Sequence, residues 1–215
     1  MKNILVVLAL LLGACGGGET ADPQPAAQPT PAANPVRIQL FGDSTVAQEA
    51  PYWQSQWPSK VVSNAIGGTT STQLVNGTDG LNMPWPNSID PAATIIVIGH
   101  GTNDGTSFYP ATPLAQYKDN LKFMASNAHG AKVIFETPLP NTDPRRMDTI
   151  PAYTQAMRDV ASELHLTVID RDACWRANPN WTTMLYDGTH ATPDARQWTV
   201  EHCVAPVIEP LLAVQ

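Results

Sequence analysis

The stretch Thr94-Ile95-Ile96-Val97-Ile98 consists of five β-branched residues and shows no alternation of polar with apolar side chains beyond its first position. Such a run is expected for a central strand of a parallel sheet, where helices cover both faces. Three residues with hydrogen-bonding side chains follow four to six positions after Ile98, in the sequence Gly101-Thr102-Asn103-Asp104. The pattern therefore predicts a buried strand that leads directly into a polar loop.

Similar short runs predict four more strands, and helical patterns separate them. The predicted strands cover residues 36–41, 60–66, 132–136 and 166–170. Thr112-Pro113 predicts a helix start, with Gly130 as its C-terminal cap, and Thr192-Pro193 opens a last helix that ends near Pro206. Alternating strands and helices predict an α/β fold, a doubly wound five-stranded parallel sheet in a three-layer α/β/α arrangement.

The composition limits the classes of function. The chain has 215 residues, 43% of them hydrophobic, with 12 Lys plus Arg against 19 Asp plus Glu and a formal charge of -7. This length favours one globular domain with additional segments, which we expect to be a monomer. No run of Lys or Arg supplies the positive surface that nucleic acid requires, so nucleic acid is not an expected partner.

The N-terminus has the features of a secretion signal. Lys2 precedes nine consecutive apolar residues, 4–12, which are too few to span a bilayer as a helix. The ending Leu12-Gly13-Ala14-Cys15 resembles the lipobox of bacterial lipoproteins, in which the cysteine is acylated and becomes the new N-terminus. We expect a signal peptide at 1–14, lipidated Cys15 with a Pro/Ala-rich linker at 15–35, and a folded domain at 36–215. A lipid anchor would then hold the protein outside the cytoplasm on a bacterial membrane, at the outer membrane or cell surface; an ordinary cleaved signal is the alternative.

Two further cysteines, Cys174 and Cys203, lie 29 positions apart. An oxidising compartment would allow them to form a disulfide, whereas two buried free thiols are the alternative.

The predicted strand ends carry a set of reactive side chains. Ser44 follows the first strand at the start of a helix, which suits an exposed nucleophile. A serine hydroxyl needs a general base. Among the histidines, His190 is the best candidate for this role because Asp187, three positions earlier, can orient its ring. The catalytic order is then Ser44, Asp187, His190.

An oxyanion formed on the substrate needs hydrogen-bond donors aimed at it. The candidates are the Ser44 amide, the Gly68 amide and the Asn103 side-chain amide. Gly67, the neighbouring residue, is the alternative to Gly68.

Gly42-Asp43-Ser44, Gly68, Asn103 and Asp187-Gly188-Thr189-His190 occur in this order along the domain. The combination resembles the SGNH hydrolases, also called the GDSL esterases, and especially their carbohydrate acetylesterases. This resemblance implies a flavodoxin-like sheet and hydrolysis of short acyl esters, acetyl above all, on a small molecule or glycan, without metal or other cofactor. The membrane would be contacted through the lipid anchor alone.

Three other functions fit parts of the pattern. A lysophospholipase or thioesterase would share the fold and use a long acyl groove. A metal-dependent phosphoesterase would use Asp43, Asn103, Asp104, Asp187 and His190 as ligands. A glycan-binding lipoprotein without catalysis would present Trp53 and Trp57, with Trp85 a third candidate for a sugar platform. Burial of these three side chains against the sheet is an equal alternative.

Two pairs of charged residues near the predicted site are assigned roles other than catalysis. Asp43 and Asp104 are expected to brace loops as hydrogen-bond acceptors. Arg145 and Arg146 are expected in a solvated turn, with contact to an acidic substrate as the alternative.

Overall fold

The computed structural model describes residues 35–106 and 111–213. They include five strands, β1 (Ile38–Gly42), β2 (Val61–Ser63), β3 (Ile95–Gly99), β4 (Lys132–Glu136) and β5 (Thr167–Ile169). The strands form one parallel sheet in the order β2-β1-β3-β4-β5. The predicted fold class is therefore confirmed, with β3 at the centre of the sheet.

The helices cover both faces of the sheet. They are α1 (Ser44–Gln56), α2 (Ser71–Asn76), α3 (Leu114–Ser126), α4 (Ile150–Glu163), α5 (Arg171–Arg176), α6 (Pro193–Thr199) and α7 (Ala205–Ala213). A 3-10 helix, Trp181–Met184, precedes α6, and a π-helical segment, Val200–Val204, joins α6 to α7.

The alternating side chains of β3 show how the three layers pack. Ile96 and Ile98 belong to a buried cluster with residues of α2, α3 and α4. Ile95 and Val97 belong to a second cluster with residues of α1, the π-helical segment and α7. Because successive strand residues point to opposite faces, an uninterrupted apolar run is what this central strand requires.

The strand order determines where a site can form. The chain moves outward from β1 to β2 and then returns across β1 to β3, so the sheet changes direction between β1 and β3. In open parallel sheets, this change leaves a crevice at the carboxyl ends of the two strands. Ser44 follows β1 and Asn103 follows β3.

Two predicted helix ends are wrong. The helix before Gly130 already ends at Ser126, where the side chain of Asn127 donates to the Phe123 carbonyl and so satisfies a terminal acceptor. The last helical stretch does not end near Pro206, because the π-helical segment Val200–Val204 leads directly into α7, whose second residue is this proline. The helix continues to Ala213.

The predicted signal peptide, Cys15 and the linker up to residue 34 lie outside the described residues. Among the helices that the structure describes, none has both the length and the apolar character of a membrane span.

A buried group of charges lies beneath the carboxyl ends of the strands. The fully buried guanidinium of Arg171 places Nη1 3.1 Å from Oε2 of Glu49 and 3.5 Å from Oε2 of Glu136. One cation thus faces two buried carboxyl groups. Burial raises the pKa of Glu136 to about 8 although Arg171 opposes the shift, and the nearby charges of Glu49 and Asp43 raise it further. Glu136 therefore retains its proton near neutral pH.

The protonation of Glu136 predicts a pH-dependent stability. The unfolded chain releases this proton near pH 4.5, whereas the folded chain keeps it up to about pH 8. Stabilisation by this group should be complete below about pH 4.5 and should be lost as the pH rises to about 8. Urea denaturation between pH 5 and 8 should show the free energy of unfolding of the wild type falling relative to that of Glu136→Gln. The exposed control Glu209→Gln should follow the wild type, and parallel curves for wild type and Glu136→Gln would contradict the prediction.

Candidate active site

Ser44 is the first residue of α1, directly after β1 and Asp43. Asp43 caps the helix, because its Oδ1 accepts from the Thr45 amide at 2.9 Å. Amides in the first turn have no acceptor within a helix, so the Ser44 N–H is available to a ligand. The positive end of the helix dipole also lies at this position.

The turn from β1 into α1 is tight because residue 42 is glycine. A Cβ at Gly42 would clash with the side chain of Val46 and would lie 3.1 Å from the carbonyl oxygen of Gly99. The absence of a side chain lets α1 start immediately at the strand end. Ser44 is therefore held by regular structure on both sides.

His190 and Asp187 meet Ser44 across 146 sequence positions. Nε2 of His190 lies 2.8 Å from Oγ of Ser44, and Nδ1 of His190 lies 2.7 Å from Oδ2 of Asp187. A carboxylate can only accept, so Nδ1 carries the ring hydrogen and Nε2 is left to accept the serine proton. The structure thus brings together the three residues predicted for catalysis.

The loop that carries Asp187 and His190 is closed at its base. Leu185 and Ala191 form an antiparallel bridge, and the Tyr186 amide donates to the His190 carbonyl at 3.0 Å. Oδ1 of Asp187 accepts from the amides of Thr189 and His190 at 2.9 and 2.7 Å. Partial burial acts to raise the pKa of Asp187, but the hydrogen bonds from His190 and Thr189 lower it below its ordinary value. The carboxylate is therefore charged at neutral pH.

The disulfide predicted between Cys174 and Cys203 is present, with the two Cα atoms 5.8 Å apart. Both Asp187 and His190 lie within the ring that it closes. Beneath their loop is a small buried cluster that includes Cys203, together with Leu139, Trp175, Leu185, Ala191 and Ala195. This cluster supports the loop from below.

The residues predicted for the oxyanion lie in the two neighbouring loops. Asn103 is buried, and its Nδ2 donates one hydrogen to the Thr69 carbonyl at 3.0 Å, which leaves a second N–H hydrogen. Gly68 has φ of 80°, a left-handed conformation that favours glycine. A Cβ on Gly67 would lie 3.6 Å from Cβ of Ser44, so this pair of glycines is adjacent to the serine.

The two aspartates expected to brace loops do so. Oδ2 of Asp43 accepts from the Thr102 amide at 3.2 Å, which links the turn after β1 to the loop after β3. Asp104 accepts from both the amide and the hydroxyl of Ser71, at 3.0 and 2.6 Å. Both carboxylates are buried and are directed at donors of the protein. Within residues 35–106 and 111–213, no group of three or more His, Cys, Asp or Glu side chains is arranged to hold a metal ion.

The structure decides between the two interpretations of the tryptophans: Trp53, Trp57 and Trp85 are all buried and pack in the core, and they do not form an exposed sugar platform. Arg146 is not in a solvated turn: its side chain is only 11% exposed, and Nη1 donates to Oδ1 of Asn103 at 3.1 Å. The contact joins loops 43 positions apart, so no local sequence signal could have found it.

An exposed aromatic ring that the sequence did not single out lies beside His190. The Tyr186 side chain is 56% exposed. Its ring is nearly parallel to the imidazole of His190, at 19° and with centroids 5.8 Å apart. In the part of the chain that the structure describes, Tyr186 is therefore an aromatic residue placed to meet a molecule that binds at His190.

Comparison with known proteins agrees with this arrangement. Residues 40–198 match the GDSL-like Lipase/Acylhydrolase family. The chain belongs to this family, and it is accordingly a hydrolase that acts on ester bonds. No curated protein matches the sequence significantly.

Solved structures show the same fold. The lipase/acylhydrolase from Enterococcus faecalis is 22% identical, with a TM-score of 0.66 over 81% of this chain and 96% of that one. A GDSL-like lipase from Bacteroides thetaiotaomicron is 19% identical, with a TM-score of 0.60 over 85% of this chain and 92% of that one. At these identities, the likeness extends to the fold and not to the substrate.

Proposed function

We propose that this protein is a serine esterase that removes short acyl groups, most simply acetyl, from a carbohydrate. The observation that carries the proposal is the hydrogen-bonded series from Ser44 Oγ through the His190 ring to the Asp187 carboxylate. Such a series is what a serine needs to attack an ester at neutral pH.

In the proposed reaction, Ser44 Oγ attacks the ester carbonyl carbon and transfers its proton to Nε2 of His190. The oxyanion accepts hydrogen bonds from the Ser44 amide, the Gly68 amide and the remaining N–H of Asn103. His190 then donates its proton to the alkoxy oxygen, so that the alcohol leaves and the acyl group stays on Ser44. Asp187 stabilises the imidazolium that forms between these steps.

The second half of the reaction releases the acid. A water molecule gives a proton to His190 and attacks the acyl carbon, and the same donors stabilise the second oxyanion. His190 returns the proton to Ser44 Oγ as the acyl bond breaks. Each proton transfer uses the one imidazole, which alternates between base and acid.

The short acyl group is proposed from the resemblance to carbohydrate acetylesterases, because the held amide of Asn103 serves the oxyanion that every ester forms. The surroundings of His190 support a sugar as the alcohol. The leaving alcohol must lie at Nε2 of His190, because this atom protonates it. The ring of Tyr186 beside His190 offers an aromatic face on which a sugar could pack.

We also propose that Cys15 carries a lipid and that the linker up to residue 35 holds the domain outside the cytoplasm. The support is the sequence Leu12-Gly13-Ala14-Cys15 after the apolar run. An esterase held in this way would act on glycans near the cell surface.

Replacement of the nucleophile tests the proposed reaction. Ser44→Ala should lower kcat for p-nitrophenyl acetate by at least about 10⁴-fold, because no other group can form the acyl-enzyme. The exposed control Ser162→Ala should match the wild type, and EDTA should leave the rate unchanged. Octanoyl esters should be poorer substrates than acetyl esters. Activity that survives in Ser44→Ala or is lost with EDTA would favour a metal-dependent alternative over the serine mechanism, and a preference for octanoate would support the lysophospholipase.

The role of Tyr186 is tested with two acetyl esters that differ in their alcohol. Tyr186→Ala should raise KM for an acetylated xylo-oligosaccharide by about threefold to tenfold, the effect of one aromatic contact. Hydrolysis of ethyl acetate should be unchanged, because ethanol has no ring to pack, and Tyr186→Phe should behave as the wild type. An equal loss on both esters would show instead that Tyr186 acts on His190.

Mass spectrometry of membrane-extracted protein tests the anchor. The mature chain should begin at Cys15 and carry a diacylglyceryl group with an additional acyl chain or a free amine. Cys15→Ser should be released from the membrane fraction. A wild-type N-terminus that lacks lipid would contradict the proposal.

A further inference from the structure

Arg146 connects the loop before α4 to the loop that follows β3. Its Nη1 donates to the Thr102 carbonyl at 3.2 Å and to Oδ1 of Asn103 at 3.1 Å. Its Nε lies 3.7 Å from Oδ2 of Asp143. The side chain is mostly buried, so these contacts are shielded from solvent.

The guanidinium determines which way the Asn103 carboxamide is turned. A guanidinium has only donors, so it can pair with Oδ1 but not with Nδ2. On the other side of the amide, Nδ2 donates to the Thr69 carbonyl, which can only accept. Turning the amide over would set donor against donor at Arg146 and acceptor against acceptor at Thr69. The pair of contacts therefore fixes one orientation.

The same contact changes the strength of the Asn103 donor. A hydrogen bond from a charged group withdraws electron density from the amide oxygen, and neighbouring hydrogen bonds polarise one another in this way. The N–H of the same amide becomes more positive and a better donor to a developing oxyanion. A neutral residue at position 146 could occupy the space without this effect.

The loop that holds Arg146 also touches the loop of the general base. The amides of Thr142 and Asp143 donate to the Gly188 carbonyl at 2.8 and 3.2 Å. Hydrogen bonds from Arg145 lower the pKa of Asp143 to about 2, so its carboxylate is charged beside Arg146. One segment therefore contacts both Asn103 and the turn between Asp187 and His190.

We propose that Arg146 is a positioning residue for ester hydrolysis: it orients and polarises the Asn103 amide so that the remaining N–H stabilises the oxyanion. This inference rests on the proposed function, in which Asn103 is an oxyanion donor. Arg146 acts through Asn103 and does not itself contact the substrate.

A double-mutant cycle tests the proposal with p-nitrophenyl acetate and the full chain. Asn103→Ala should lower kcat by about 100-fold, the effect of losing one oxyanion donor. Arg146→Met should lower kcat by about tenfold, the effect of losing one charge-assisted hydrogen bond, with little change in KM. In the Asn103→Ala background, Arg146→Met should cause no further loss, because the group through which it acts is gone.

Three controls separate positioning from folding. Arg37→Met removes one positive charge before β1, at the opposite end of the sheet, and should leave kcat unchanged. Arg146→Lys should recover part of the rate, and guanidinium ion below denaturing concentration should partly rescue Arg146→Met but not the double variant. Melting temperatures of all variants are measured beside the rates. Should Arg146→Met fold poorly, the same cycle with Arg146→Lys replaces it.

The outcomes distinguish this proposal from the proposed function. Two results would overturn the role of Arg146 while leaving a Ser44-dependent esterase intact. The first is a double variant in which the two decreases in kcat multiply. The second is an Arg146→Met variant with a higher KM and an unchanged kcat. A wild-type protein without Ser44-dependent hydrolysis would overturn both.

Discussion

The site depends on the buried carboxylate of Asp43. One oxygen caps α1 through the Thr45 amide, and the other accepts from the Thr102 amide in the loop after β3. The residue after Asp43 is Ser44, and the residue after Thr102 is Asn103. A single side chain therefore sets the separation between the two strand ends that carry the serine and the carboxamide. Because a buried carboxylate is costly unless its oxygens are paired, this arrangement is stable only when both loops are in place.

A second set of buried polar side chains lies next to Asp43, on the side of Arg171. Thr45 donates its hydroxyl hydrogen to Asp43 and faces Arg171, which in turn faces Glu49 and Glu136. Apolar residues of similar volume could give equal or greater stability, since buried ion pairs lose much of their attraction to desolvation. Arg171 and its two carboxyl partners provide contacts with a defined direction. These contacts join α1, β4 and α5 at one end of the sheet. The apolar clusters on the two faces then supply the main stabilisation of the fold.

Much of the fold could be predicted from the sequence because local patterns determine it. β3 is an apolar run whose alternate residues pack on opposite faces, and a strand with this pattern has few other places in an α/β protein. Ser44, Asn103 and His190 could be proposed because each follows or closes a recognisable local motif. The sequence left burial and exposure of Trp53 equally open, and it did not indicate the contact of Arg146 with Asn103, because both depend on which distant segments meet. The end of the last helix was also missed, because a proline normally ends a helix, whereas here helical backbone continues through the π-helical segment and past Pro206.

The chain order of the site has a consequence for the point in folding at which activity appears. The nucleophile lies at the beginning of the domain and its base 146 positions later, after strands β1 to β5. A chain whose five strands have already paired therefore still holds a serine without its base, because the imidazole lies in a later segment. The domain would thus remain inactive towards esters until the loop that carries His190 reaches the start of α1, even where the sheet is already formed.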